Sequence, residues 1–186
     1  MGDTTSQDEP PDPERLRGGT AAAGPQLVVR RASLDEYSTI RHVQATAIRS
    51  LGDKLLDPAD VHAATTAVYS AEYLAELVRK TVFVAVLNGD IVGTCAWSAS
   101  DDRGSSARIG ALFIKPLFQG AGVGRHLVAS TERDASLKGY VRFTATVPVA
   151  IVPLFAHLGY VIASFGTSRD VIPETAVQVA FLRKPG

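Results

Sequence analysis

The stretch Phe118-Gln119-Gly120-Ala121-Gly122-Val123-Gly124, read with the Arg125-His126-Leu127-Val128 that follows, decides the fold. A glycine inside a regular element costs roughly 0.5–1 kcal/mol relative to alanine through lost backbone freedom. Three at alternate positions, between an apolar run and an amphipathic stretch, point to a backbone that must approach something closely. The amphipathic stretch predicts a helix over about 123–138, closed by Gly139. Successive N–H groups at the positive end of that helix, with Arg125 beside them, form a cradle suited to an anion, and a diphosphate fits its length. A nucleotide P-loop would require Gly-Lys-Ser/Thr, and Gly124 is followed by Arg125-His126. A dinucleotide fingerprint would open directly after a strand, with its third glycine one residue later and an acid ending the next strand; Lys115-Pro116-Leu117-Phe118 and Ala145-Thr146-Val147 stand there instead. A ligand-free helix start needs one glycine rather than three.

The surrounding sequence supplies a sheet for that loop. Leu27–Ala32 reads as a short strand. Ser33-Leu34-Asp35-Glu36 is a capping box opening a helix to about Ser50, and Leu51-Gly52-Asp53 breaks it. Asp57-Pro58 opens a second helix as N-cap and first-turn proline, and Ser70 a third, with Leu74, Leu77 and Val78 on one face. Then the period changes to two. Residues 81–87 and 91–100 flank Asn88-Gly89-Asp90 as a hairpin, Asp101 to Ser106 form a turn, and 107–116 make a third strand. After the glycine helix come a strand over 140–147, a short helix over 151–158 ended by Gly159, and two closing strands over 160–166 and 174–184. Hairpins mixed with one strand–helix–strand crossover define an α+β, or mixed α/β, sheet.

Bulk properties bound the function. The chain has 186 residues, 46% of them apolar, enough for one core. Lys plus Arg equal Asp plus Glu, 19 each, so there is no basic field for nucleic acid or an anionic membrane surface. Residues 1–25, rich in Pro, Gly, Asp, Glu and Thr, are expected to be a disordered tail, and 26–186 a single domain. The acidic N-terminus does not resemble a signal peptide and no apolar run approaches a membrane span; a cytoplasmic location is expected. The single cysteine, Cys95, excludes an internal disulfide framework, and no cluster of carboxylates, Cys and His predicts a metal.

The loop belongs to a longer pattern. Ile114-Lys115-Pro116, then Gln119-Gly120-Ala121-Gly122-Val123-Gly124-Arg125 and Leu127, is followed some 30 residues later by Pro153-Leu154-Phe155-Ala156-His157-Leu158-Gly159-Tyr160. The two blocks, in this order and spacing, resemble the GNAT superfamily of N-acetyltransferases, and the element order matches from residue 27 to 184. The resemblance implies a central, mostly antiparallel twisted sheet of about seven strands with flanking helices, and a V-shaped split between the fourth and fifth strands. It implies acetyl-CoA as cosubstrate, its pantetheine arm paired by main-chain groups of Leu112, Phe113 and Ile114. The pyrophosphate would be held by amides of Gln119, Gly120, Ala121, Gly122, Val123, Gly124 and Arg125, with the helix carrying Pro153 and Phe155 at the thioester end. A main-chain N–H near Leu112 or Phe113 is expected to be the oxyanion donor. Phe155 stands where many relatives carry Tyr, and it cannot donate a proton to the leaving thiolate. The acceptor is expected to be a primary amine of a small molecule or peptide, and an acetyl-CoA-binding sensor or interaction module without turnover is the alternative reading. Ile48, Arg49, Tyr69 and Trp97 are candidates for the acceptor pocket. Asp101 and Asp102 suit a solvated turn better than a base, and no base is assigned. The closing strands leave a sheet edge that a second copy would be able to pair with, so a homodimer stays open.

Overall fold

The computed structural model describes residues 26–51, 56–100 and 105–185. The tail expected over 1–25, Gly52-Asp53 and the Asp101-Asp102 turn lie outside the described residues. Strand β1 (Leu27–Arg31) leads through a single 3-10 turn, Leu34–Glu36, into helix α1 (Tyr37–Arg49). The expected capping box is present, the Ser33 N–H donating to Glu36 Oε2 at 2.9 Å. The same carboxylate takes both ends of the Arg30 guanidinium, at 2.8 and 2.6 Å, so one residue ties β1 to the start of α1. Helices α2 (Pro58–Ala67) and α3 (Ala71–Val78) start as their sequences dictate. Asp57 Oδ1 accepts the Asp60 N–H at 2.8 Å, and Ser70 Oγ accepts the Tyr73 N–H at 3.1 Å.

Arg30, first among the causes, holds the Glu36 carboxyl at about 2, down from its ordinary 4.5. A folded-state value below the unfolded one stabilises the protein above pH 4.5, and that contribution is lost as pH falls toward 2. The Arg30 side chain is 45% exposed, so solvent screening holds the gain to about 1 kcal/mol. Urea titrations at pH 7 and pH 2.5 should show this pH-dependent increment in the wild type and its loss in Arg30→Met.

The β2 (Thr81–Leu87) and β3 (Asp90–Ala99) hairpin turns through Asn88 and Gly89, with φ of 53° and 89°, the left-handed pair this two-residue turn requires. Strand β4 (Ser106–Ile114) completes the meander. Helix α4 (Val123–Leu137) carries the chain to β5 (Arg142–Pro148), and α5 (Val152–His157) leads to the β6 (Val161–Ile172) and β7 (Thr175–Lys184) hairpin. β6 runs six residues past Gly166, where the sequence reading ended it.

The sheet order is β1-β2-β3-β4-β5-β7-β6, seven strands in all, antiparallel except at β4–β5. Those two pair in parallel only from Ser106↔Arg142 to Ile109↔Ala145, and beyond that point they part. This is the V-shaped split expected between the fourth and fifth strands, and the α+β class is as read. Helix α4 covers one face over Cys95, Trp97, Leu127, Val128 and Phe155, while α1 and α3 cover the other over Ile40, Val43, Leu77 and Val84. Burial on both faces explains why β3 reads as a nearly unbroken apolar run. A Cβ on Gly93 would stand 3.0 Å from Leu127 Cδ1, so α4 lies hard against β3. No helix among the described residues is long and apolar enough to cross a membrane.

Candidate active site

The glycine loop divides its work. Gly120 and Gly122 both adopt φ of 80°, a left-handed conformation that an L side chain reaches only at a cost of about 1–2 kcal/mol, and a Cβ there would face nearly open space. Gly124 is different. It lies buried in the first turn of α4, and a Cβ on it would meet Leu154 Cδ2 at 3.0 Å and Ile114 Cδ1 at 3.1 Å. Its role is the close approach of α4 to β4 and α5, where the sequence reading grouped it with the other two in the close approach of the backbone to an anion.

The N–H groups of Val123, Gly124 and Arg125 have no carbonyl to meet within α4, whose first internal bond runs from His126 N to Gly122 O at 3.2 Å. Those three, with Gly120, Ala121 and Gly122, donate to no other main-chain carbonyl among the described residues. The loop is thus a row of spare donors at the positive end of a four-turn helix. The His126 ring folds back so that Nδ1–H donates to the Gly122 carbonyl at 2.9 Å, bracing the turn. Arg125 is exposed beside it. Gln119 is anchored, its Nε2 donating to the Ile114 carbonyl at 3.3 Å.

The split between β4 and β5 opens into a cavity of about 380 Å3. Leu112, Phe113, Ile114, Gln119, Gly120 and Phe155, all named from sequence, border it, and Ala47, Leu51 and Thr146 join them. Phe155 is fully buried, edge-on to Tyr160 with ring centroids 5.1 Å apart. Pro153 faces outward, its carbonyl accepting Nδ1–H of His157 at 2.6 Å. Ala121, Gly122, Val123, Gly124 and Arg125 lie beyond the rim, along the loop.

Two further hollows meet this one at Ala111 and Val171. One, of about 130 Å3, is bordered by Lys80, Arg108, Thr146 and Asp170; the other, of about 510 Å3, by Tyr73, Glu72, Glu76, Lys80, Asp170 and Glu174 among others. The sequence candidates for this side fall elsewhere. Ile48 is packed in the core against Phe113, and Arg49 is exposed at the end of α1; neither borders a cavity. Tyr69 is exposed near His42, its hydroxyl 3.4 Å from His42 Nδ1, with the Arg41 guanidinium bonded to its carbonyl at 3.2 Å. Trp97 borders the smallest hollow, yet its indole belongs to the α4 face. Nε1–H donates to Asp134 at 2.9 Å, Lys138 lies 4.8 Å over the ring, and Tyr140 meets it edge-on. Cys95 is sealed in the core, where burial pushes its thiol up to about 12, so it remains an unreactive thiol.

Sequence reasoning missed Ala111 on β4 and Asp170 on β6. Ala111 has φ of 49° in the middle of β4. Phe113 pairs with Thr94 and Gly110 with Ala96, so the single residue Cys95 stands opposite both Ala111 and Leu112, a β-bulge at the mouth of the split.

Comparisons with known proteins agree with this geometry. The model of the acetyltransferase (GNAT) domain matches residues 78–162, from the end of α3 to the start of β6. No curated protein gave a significant match. Among solved structures, a GCN5-related N-acetyltransferase from Rhodopseudomonas palustris superposes with a TM-score of 0.73 at 21% identity, over 86% of this chain and 95% of that one. The PaiA N-acetyltransferase of Thermoplasma acidophilum, solved with coenzyme A, gives 0.70 at 13% identity over 87% and 99%. A Salmonella typhimurium protein solved with its cofactor acetyl-CoA gives 0.60 at 18% identity over 85% and 92%. At these identities the structural likeness is one of fold; the family signal is the domain model, and residues 78–162, which hold the loop, the bulge and the split, match the acetyltransferase (GNAT) domain.

Proposed function

We propose that the chain transfers an acetyl group from acetyl-CoA to a primary amine of a small molecule or peptide. One observation carries the reading: a row of spare main-chain donors, Gly120–Arg125, starts at the rim of a cavity opened by the parting of β4 and β5 and runs on beyond it. The residues present fit the coenzyme. The loop amides, with Arg125, suit the pyrophosphate. The unpaired inner edge of β4, at Leu112 to Ile114, suits the amide groups of the pantetheine arm, much as a strand would. Phe155, Leu154 and Ile151 give the thioester end an apolar wall. Solved neighbours that hold coenzyme A and acetyl-CoA support the same choice of ligand.

In the transfer, the amine nitrogen bonds to the thioester carbon, the C–S bond breaks, the nitrogen loses one proton and the thiolate gains one. The carbonyl oxygen gathers negative charge on the way, and a main-chain N–H at Leu112 or Phe113 is placed to receive it. Phe155 offers no proton; Thr146 and Gln119 carry the side-chain N–H and O–H groups that border this cavity. The acceptor enters from the 510 Å3 side, where Glu72, Glu76, Asp170 and Glu174 face Lys80, Arg108 and Arg169, a small acidic excess that suits an amine. Among the described residues Asp170 is the one carboxylate bordering the 130 Å3 hollow that reaches Ala111, which makes it the base we assign.

Calorimetry tests the coenzyme site directly. Wild-type protein should release heat with acetyl-CoA. Gly122→Trp, forced into φ of 80° with a bulky ring over the loop, should bind at least about tenfold more weakly. Absence of any binding to the wild type would refute the reading.

A further inference from the structure

A buried chain of hydrogen bonds ends on the bulge. The Tyr73 hydroxyl donates to Gln44 Oε1 at 3.0 Å, Gln44 Nε2 donates to Thr94 Oγ1 at 3.4 Å, and Thr94 Oγ1 donates to the Ala111 carbonyl at 3.2 Å. Gln44 and Thr94 are fully buried, and neither borders any of the three cavities. Burial also holds the Tyr73 phenol well above its ordinary range, so it stays a donor. A glutamine and a threonine inside an apolar core need a reason, since each polar group there costs free energy unless bonded.

The reason lies in peptide geometry. The described chain contains no cis peptide, so the Ala111–Leu112 unit is trans and planar, and its C=O and N–H point in opposite directions. With the carbonyl held by Thr94, on the side of β3 and α1, the Leu112 N–H is turned the other way, toward the gap that β5 has left. Neither Ala111 nor Leu112 has a register partner on either neighbouring strand. Ala111 sits at φ of 49°, a conformation alanine avoids by about 1–2 kcal/mol, so something outside the residue must hold it. The geometry points to Gln44 and Thr94 as positioning residues that fix the bulge and thereby aim the Leu112 amide at the acyl carbonyl, with Tyr73 setting the far end of the relay.

This rests on the acetyl-CoA reading, and the experiment separates the two. Acetyl-CoA labelled with carbon-13 at the thioester carbonyl is bound to the full chain, and its carbonyl stretch is read by isotope-edited infrared difference spectroscopy, beside calorimetric affinity. No acceptor amine is needed. In the wild type the band should move to lower frequency than in free acetyl-CoA, as an aimed donor polarises the bond. In Thr94→Val, which removes the hydroxyl at nearly constant volume, most of that shift should vanish while affinity stays within about threefold. Thr94→Ser should restore the shift. Tyr73→Phe, a change at the part-buried far end of the relay, should show a smaller loss and serves if Thr94→Val does not fold. Where an amine is turned over, kcat should fall about tenfold or more in Thr94→Val with the KM for acetyl-CoA little changed. An unaltered band in Thr94→Val, or in Tyr73→Phe where that variant must stand in, overturns the inference and leaves the coenzyme reading intact. A wild type that binds no acetyl-CoA overturns both.

Discussion

Phe155→Ala should lower the unfolding free energy by about 3–5 kcal/mol, the range for removing a large aromatic side chain from a packed core. The ring has no exposed surface and stands at the junction of three elements. It packs into the cluster formed by α4, β3 and β7, meets Tyr160 edge-on, and forms one wall of the 380 Å3 cavity. Its carbonyl accepts the N–H groups of Leu158 and Tyr160, at 3.0 Å each, so the helix end is tied to the same residue. Truncation would join the space of the lost ring to the cavity, and neighbours that already line an opening have little on that side to collapse against. The cost should therefore lie in the upper half of the range. For a chain of this size the melting temperature should drop by roughly 10 °C, measured by differential scanning calorimetry. Phe155→Leu, which keeps most of the volume, should cost less than half as much. A drop under about 1 kcal/mol in Phe155→Ala would mean that the ring is not a structural wall of the site.

What was readable in the sequence, and what was not, follows from the range of each interaction. Gly120 and Gly122 were legible because their need is local: a positive φ is a property of one residue. Gly124 looks the same in sequence, but its constraint is Leu154 and Ile114, which the fold brings within 3.0 and 3.1 Å of where a Cβ would stand. The caps at Ser33, Asp57 and Ser70 lie within four residues of what they satisfy and were all correct. The split was reached through the resemblance of the two motif blocks, since no periodicity in Ser106–Ile114 records where its partner departs. On the side proposed for the acceptor, Tyr69 borders none of the three cavities and Tyr73, four residues on, borders the widest. Ser168-Arg169-Asp170 falls between the two closing strands expected over 160–166 and 174–184, yet β6 persists to Ile172 through irregular pairing with β7. The bulge left no sign at all, because Gly110-Ala111-Leu112 reads as ordinary strand.

Asp170→Asn should reduce kcat/KM by about a hundredfold, the lower bound for removing a general base, against any amine that the wild type acetylates. A primary amine of the lysine type has a pKa near ~10.4, so close to neutral pH almost all of it arrives protonated and unable to attack. Glu72, Glu76 and Glu174 line the wider hollow and can attract that cation, but among the described carboxylates only Asp170 borders both hollows that reach Ala111. Its backbone is set by the Asp170 N–H donating to Ser168 Oγ at 3.1 Å, inside the β6–β7 hairpin, which offers a firmer support than a free loop. The substitution is nearly isosteric and the residue is exposed, so stability should change by less than about 0.5 kcal/mol and acetyl-CoA affinity should stay as it was. The signature that separates a base from a mere attractor is the pH dependence of the defect. As the pH rises toward the pKa of the amine, the acceptor supplies its own neutral form, and the gap between wild type and Asp170→Asn should narrow. An attractor predicts a raised KM for the amine with kcat kept. A defect that is independent of pH and confined to KM would therefore remove Asp170 from proton transfer and leave it a place only in binding.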